Sequence, residues 1–123
     1  MIVIETIPHY LQEYNTCGNW KIHKGSIEIT VSDLGNEKHE FLIGLHELIE
    51  AYLCKCRGIK EKDVTAFDKE FEAKKVEGNQ NEPGDDPKSP YKKEHFFATS
   101  IERLMAAELG VDWNEYDKHI GEL

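Results

Sequence analysis

Between Ser26 and Ser32 apolar and polar side chains alternate, with Ile27, Ile29 and Val31 on one side and Glu28, Thr30 and Ser32 on the other. That period of two predicts a half-buried strand. A shorter run, Trp20-Lys21-Ile22-His23, precedes it across a Lys24-Gly25 step, and a two-residue step of this kind suits a hairpin turn. Together with Ile2-Val3-Ile4 these runs predict a small antiparallel sheet. After Asp33-Leu34-Gly35-Asn36 the period lengthens. Phe41, Leu45, Leu48 and Tyr52 recur at i, i+4, i+7 and i+11, which predicts a helix of about twenty residues with Asn36 as N-cap and Gly58 as its stop. A second helix is expected near 63–75, where Val64, Phe67 and Phe71 share a stripe, and a third near 92–109 through Phe97, Ile101 and Leu104. The expected class is α+β: a small antiparallel sheet followed by about three helices, in a single domain spanning 1–123.

Only residues 77–90, EGNQNEPGDDPKSP, depart from this texture, holding three of the four prolines. A loop is expected there. Because proline and glycine restrict the backbone, the segment reads as an ordered wall of an active site, although Asp and Pro also build ordinary turns.

Charge narrows the partners. The chain carries 24 acidic residues against 15 Lys and Arg, a net charge of -9 that disfavours nucleic acid. The N-terminal run lacks the basic flank and long apolar core of a secretion signal, and no stretch approaches the roughly 18 apolar residues of a bilayer span. A cytoplasmic protein without a membrane partner is expected. Its three cysteines, Cys17, Cys54 and Cys56, are odd in number and are expected as reduced thiols. Cys54 and Cys56 lie about 200° apart on a helix, so they cannot jointly grip one ion, and at least one belongs in the core.

The candidate chemistry lies in His46-Glu47-Leu48-Ile49-Glu50. Positions 46 and 50 are one helical turn apart, so an imidazole and a carboxylate project from the same face as potential metal ligands. Glu47, about 100° around the helix, is placed to take a proton from metal-bound water. This is the geometry of the H-E-x-x-H zinc helix, with Glu50 in place of the second histidine, a substitution that zinc accepts. The competing reading is a solvated His-Glu-Glu face above a buried Leu45-Leu48-Tyr52 stripe. His95, which opens the third helix, is the expected third ligand. Glu102, seven residues on, returns to the same face and is expected to orient His95 through its other ring nitrogen. From the loop, Asp85 or Asp86 is an alternative ligand, and Tyr91 a donor to a developing oxyanion. Asp68 and Glu72, one turn apart, are expected on a solvated face.

The run FLIGLHELIEAYLCKCRGI, with DVTAFDKEFE, EPGDDPKSPYKKEH and IERLMAAELGVDW, resembles a set of small uncharacterised bacterial and phage proteins; this resemblance covers most of the chain after Gly18 and implies architecture but no activity. More distantly, HELIE is similar to the metal-binding helix of zincin metallopeptidases. That similarity implies a zincin-like minimal core with His46 and Glu50 as zinc ligands, Glu47 as general base and a downstream third ligand that His95 matches in role. Because a carboxylate replaces a histidine, manganese, iron or magnesium also suits the set.

The function expected is a divalent-metal-dependent hydrolase, zinc first among the metals, acting on a peptide or small molecule through activated water. Two alternatives stand beside it. Glu47-x-x-Glu50 with Asp68 loosely resembles the carboxylate-only magnesium site of all-α nucleoside triphosphate pyrophosphohydrolases, and the same residues would equally serve a non-enzymatic metal-binding or interaction module.

Overall fold

The structure, a computed structural model, describes residues 1–76, 79 and 81–123; residues 77, 78 and 80 of the expected loop lie outside the described residues. Strand β1 (Ile2–Ile7) leads through a 3-10 turn (His9–Leu11) to β2 (Gly18–His23) and β3 (Ser26–Ser32). Helices α1 (Glu37–Cys56), α2 (Glu61–Lys74), α3 (Lys92–Glu108) and α4 (Trp113–Gly121) follow, with a second 3-10 turn at Pro83–Asp85. The α+β class expected from the periodicities is the observed one.

Local signals place β2, β3 and α1 well. Lys24 and Gly25 both have positive φ, 49° and 82°, which matches the right-handed twist of the flanking strands and closes the β2–β3 hairpin. Ile27, Ile29 and Val31 point inward and are almost fully buried. Asn36 accepts a hydrogen bond from the His39 amide at the start of α1, and Gly58, at φ 69°, follows its last turn.

Three expectations are corrected. The sheet is mixed, not antiparallel, with order β1-β3-β2 and β1 running parallel to β3 in the register Ile2↔Ile27. The connection from β1 to β2 crosses the end of β3, closed by bonds from the Ser32 amide to Cys17 O and from the Asp33 amide to Ile7 O. A fourth helix, α4, was not among the expected elements. Its signal was present in Asp112-Trp113-Asn114-Glu115, where Asp112 accepts from the Glu115 amide as an N-cap.

The third correction concerns which helical faces are buried. Phe41 and Tyr52 are half exposed, and α1 instead buries Leu42, Ile43, His46, Glu47, Glu50, Ala51 and Cys54. On α3 the expected Phe97 and Leu104 face outward, and Glu94, His95, Ala98, Glu102 and Ala106 are buried. Small residues explain the choice. A Cβ on Gly44 would meet Ile4 and Val31 side chains at 3.5 and 3.6 Å, so this turn of α1 lies close on the sheet, while Ala51, Ala98 and Ala106 are almost completely buried. Helices α1 and α3 are antiparallel, with the Lys38 ammonium donating to Leu109 O at one end and Arg57 paired with Glu94 at 2.6 Å at the other. Cys54 is buried and Cys56 exposed, and all three cysteines are free thiols. No helix among the described residues is long and apolar enough to cross a membrane.

Candidate metal centre

The antiparallel contact of α1 with α3 brings the distant parts of HELIE and KKEH together. One turn of α1 aims His46 and Glu50 at α3, and the first turn of α3 returns His95 toward them. The two imidazole rings stand 4.8 Å apart between centroids. His46 Nε2 and His95 Nδ1 approach the same oxygen of Glu50, Oε2, at 3.0 and 2.9 Å. All three side chains are buried, so the solvated-face reading of His46-Glu47-Glu50 does not describe this protein.

The far side of each α1 group is also held. His46 Nδ1 lies 2.7 Å from Glu102 Oε1, and the Tyr116 hydroxyl of α4 donates to the other Glu102 oxygen. Glu102 therefore orients His46, not His95 as its spacing suggested: in the antiparallel pairing, α3 position 102 lies opposite α1 position 46. The Trp20 indole N–H donates to Glu50 Oε1 at 3.1 Å, which leaves Oε2 for the histidines. Glu47 turns its Oε2 to within 3.8 Å of His46 Nε2.

Two glycines permit this closeness. A Cβ on Gly18, at the start of β2, would stand 2.7 Å from Glu47 Cγ. One on Gly84 would fall 2.3 Å from His95 Cγ, inside the ring's van der Waals envelope. Neither glycine was legible as a site residue, because only their tertiary neighbours exclude a side chain.

Burial and mutual charge set the proton affinities. For Glu50 burial acts upward, but hydrogen bonds from His46 and His95 outweigh it and bring the carboxyl to about 2. Burial and the adjacent Glu50 charge push Glu47 well above the usual carboxylate range. Burial would lower His95, yet Asp85, Glu50 and Glu82 hold it up at about 12, and His46 is raised likewise by Glu102 and Glu50 against its burial. Burial and the neighbouring carboxylates thus favour the protonated forms of His46, His95 and Glu47.

The other expected residues fall as follows. Asp85 reaches His95 Nε2 at 3.2 Å, as does Glu82, unremarked in the sequence, at 3.1 Å. Asp86 does not join them. Its Oδ1 accepts from the Lys88 amide and shapes the turn, so it is neither ligand nor support. Tyr91 is buried against His95, but its hydroxyl donates to Asp68 Oδ1 at 2.6 Å and is not free for an oxyanion. Asp68, expected in solvent, is buried and also accepts from the Tyr14 hydroxyl at 2.7 Å. Burial raises its carboxyl and the two hydroxyls draw it back, leaving it near 6. Its place one turn after Val64, within the Val64-Phe67-Phe71 stripe, was the sequence signal for that burial.

A cleft of about 250 Å³ opens over the cluster, bounded by Tyr14, Ile43, Glu47, Asp68, Lys75 and Ile120. Its walls combine the α1 carboxylates with side chains from α2, α4 and the loop before β2. Comparison of the chain with protein-family models, with curated proteins and with solved structures found no match in any of the three.

Proposed function

We propose that the protein is a divalent-metal-dependent hydrolase of zincin type, in which His46, Glu50 and His95 hold the ion and Glu47 is the general base. One observation carries the reading: His46 Nε2 and His95 Nδ1 converge on a single Glu50 oxygen at 3.0 and 2.9 Å while Glu102 and Trp20 hold the far atoms. Bonds of about 2.0 to 2.2 Å to a tetrahedral zinc ion would separate its donors by about 3.3 Å, and the donor atoms of His46, Glu50 and His95 lie within 4.8 Å of one another. His46, Glu50 and His95 would hold the ion beneath the cleft, and when bound it would supply an activated water and polarise a carbonyl.

Glu47 accepts the proton of the attacking water in this reading. Its carboxyl, 3.8 Å from His46 Nε2, stands beside the proposed ligands without joining them, where a bound cation would favour its ionised, proton-accepting form. Trp20 and Glu102 position ligands and touch no substrate. The cleft suits a small molecule or a short segment of peptide. For a peptide, β3 is central in the sheet and offers no free edge, whereas β2 lies at the edge and its Gly18 abuts Glu47.

The carboxylate-only magnesium reading is less well supported. Two histidines stand among the carboxylates, both Asp68 oxygens accept tyrosine hydroxyls, and the sheet departs from an all-α architecture.

Metal content tests the reading. Protein purified without chelator or affinity tag is expected to carry a divalent metal that His46→Ala loses, with both proteins showing the same far-ultraviolet dichroism. Equal metal in both, or none in wild type after dialysis against zinc, manganese or iron, rejects the site. Glu102→Gln is expected to weaken metal binding by about 10–100-fold, because His46 loses the carboxylate that fixes its tautomer. Competition against a chromophoric chelator measures this, and unchanged affinity would remove Glu102 from the supporting role.

A further inference from the structure

The geometry points to a second divalent-cation site, formed by Glu82, Asp85 and the outer ring nitrogen of His95, so that one imidazole stands between two ions. It shares His95 with the centre proposed above but uses none of that centre's other ligands. His95 is 5% exposed, and its Nε2 is buried without a hydrogen bond, the sole such side-chain nitrogen or oxygen among the described residues. Such orphaned atoms are rare because burying a polar group without a partner costs about 1–3 kcal/mol.

Two carboxylate oxygens nevertheless lie beside it. Glu82 Oε2 is 3.1 Å and Asp85 Oδ1 3.2 Å from Nε2, yet neither forms a hydrogen bond with it. Both carboxylates favour a charged ring. The three donor atoms lie within 4.8 Å of one another, close enough for one cation to reach all of them. With metal–donor bonds of about 2.0 to 2.2 Å, neighbouring donors stand about 2.9 Å apart in an octahedral site and about 3.3 Å in a tetrahedral one, which brackets the observed spacings.

The loop is built to present this pair. Pro83–Asp85 forms a 3-10 turn in which the Asp85 amide donates to Glu82 O, so Glu82 and Asp85 bracket one tight turn. Both carboxylates reach the same His95 nitrogen. Gly84, between them, packs directly on the His95 ring and brings both carboxylates to its outer edge.

Two carboxylates balance a dication, and their partial exposure leaves coordination positions to water, so the ion is exchangeable. One nitrogen with two oxygens suits zinc, manganese or ferrous iron. When both centres are filled, the second ion takes the place of the remaining ring proton, which passes to solvent.

Stoichiometry decides the matter. Full-length protein is dialysed against zinc and its bound metal counted by mass spectrometry, for wild type, Glu82→Gln/Asp85→Asn, His46→Ala/Glu50→Gln and the quadruple variant. The expected result is a second equivalent in wild type that the Glu82/Asp85 pair of substitutions removes while the first remains. Metal retained by His46→Ala/Glu50→Gln and lost from the quadruple variant also supports the second site, even should the Glu82/Asp85 substitutions show that no other ion binds; the hydrolase centre would then fall alone. A single equivalent that Glu82→Gln/Asp85→Asn leaves in place, or two equivalents unaffected by it, overturns the second site. Loss of every ion both on that substitution and in His46→Ala/Glu50→Gln overturns it as well, since Glu82 and Asp85 would then only support His95.

Discussion

Glu47→Gln is expected to keep its metal and to lose turnover by about 10²–10⁴-fold, the usual contribution of a positioned general base. The amide matches the carboxylate in shape and still fits against Gly18, where a Cβ would come within 2.7 Å of Glu47 Cγ, so the fold tolerates the change. Glu47 is outside the proposed ligand set, and its nearest approach to His46 Nε2 is 3.8 Å. The base function alone is removed. The measurement pairs metal affinity with hydrolysis of a panel of esters and amides by the metal-loaded wild type and variant. Equal turnover would exclude Glu47 from the proposed mechanism, and metal loss would make it a ligand.

Gly84→Ala is expected to cost about 1–3 kcal/mol by overpacking, read as a fall of several degrees in the thermal midpoint, and to weaken metal binding. The added methyl would lie 2.3 Å from His95 Cγ and 2.5 Å from Nδ1, too close for any rotation of a flexible neighbour to relieve, because both contacts are to the ring itself. Either the loop lifts or the ring turns away from Glu50. Gly58→Ala is the control. Its residue has φ 69° and nothing within 4 Å, so alanine there strains the end of α1 without touching the centre. Stability should fall in both variants and metal affinity only in Gly84→Ala; equal affinities would detach Gly84 from the positioning of His95.

The polar interior between α1 and α3 is costly. Buried ionisable groups repay their desolvation only when closely paired, and apolar side chains of similar volume are often the more stable filling. Here the apolar side chains were at hand, since Phe41, Tyr52, Phe97 and Leu104 face outward from the same two helices. Placing His46, Glu50, His95 and Glu102 inside while those four lie outside is a local departure from the hydrophobic pattern. Such departures are expected at functional or strained positions.

Much of the local structure was legible before any tertiary contact was known. Asn36 and Gly58 bracketed α1, Lys24-Gly25 marked the hairpin, and the alternation of Ile27, Ile29 and Val31 placed the inner face of β3. These signals act within a few residues, through capping, turn conformation and pleat, so they survive without context. The HELIE spacing likewise puts His46 and Glu50 on one face, and the position of His95 at the start of the third helical pattern marks it as their distant companion.

Other features depended on long-range packing. Periodicity on α1 could not distinguish its two faces, because apolar residues occur nearly all round it; the close approach at Gly44 and the pairing with α3 selected the face bearing the histidine and carboxylates. Antiparallel packing gave Glu102 to His46, and the crossing from β1 to β2 made the sheet mixed. Trp20, Gly18 and Gly84 acquired their roles through neighbours 30, 29 and 11 positions away in the chain. Residue order set the turns, caps and one-turn spacings because those are short-range geometry. The convergence of imidazoles on one carboxylate oxygen came from helix and strand packing, since distance between remote side chains is a property of the assembled core.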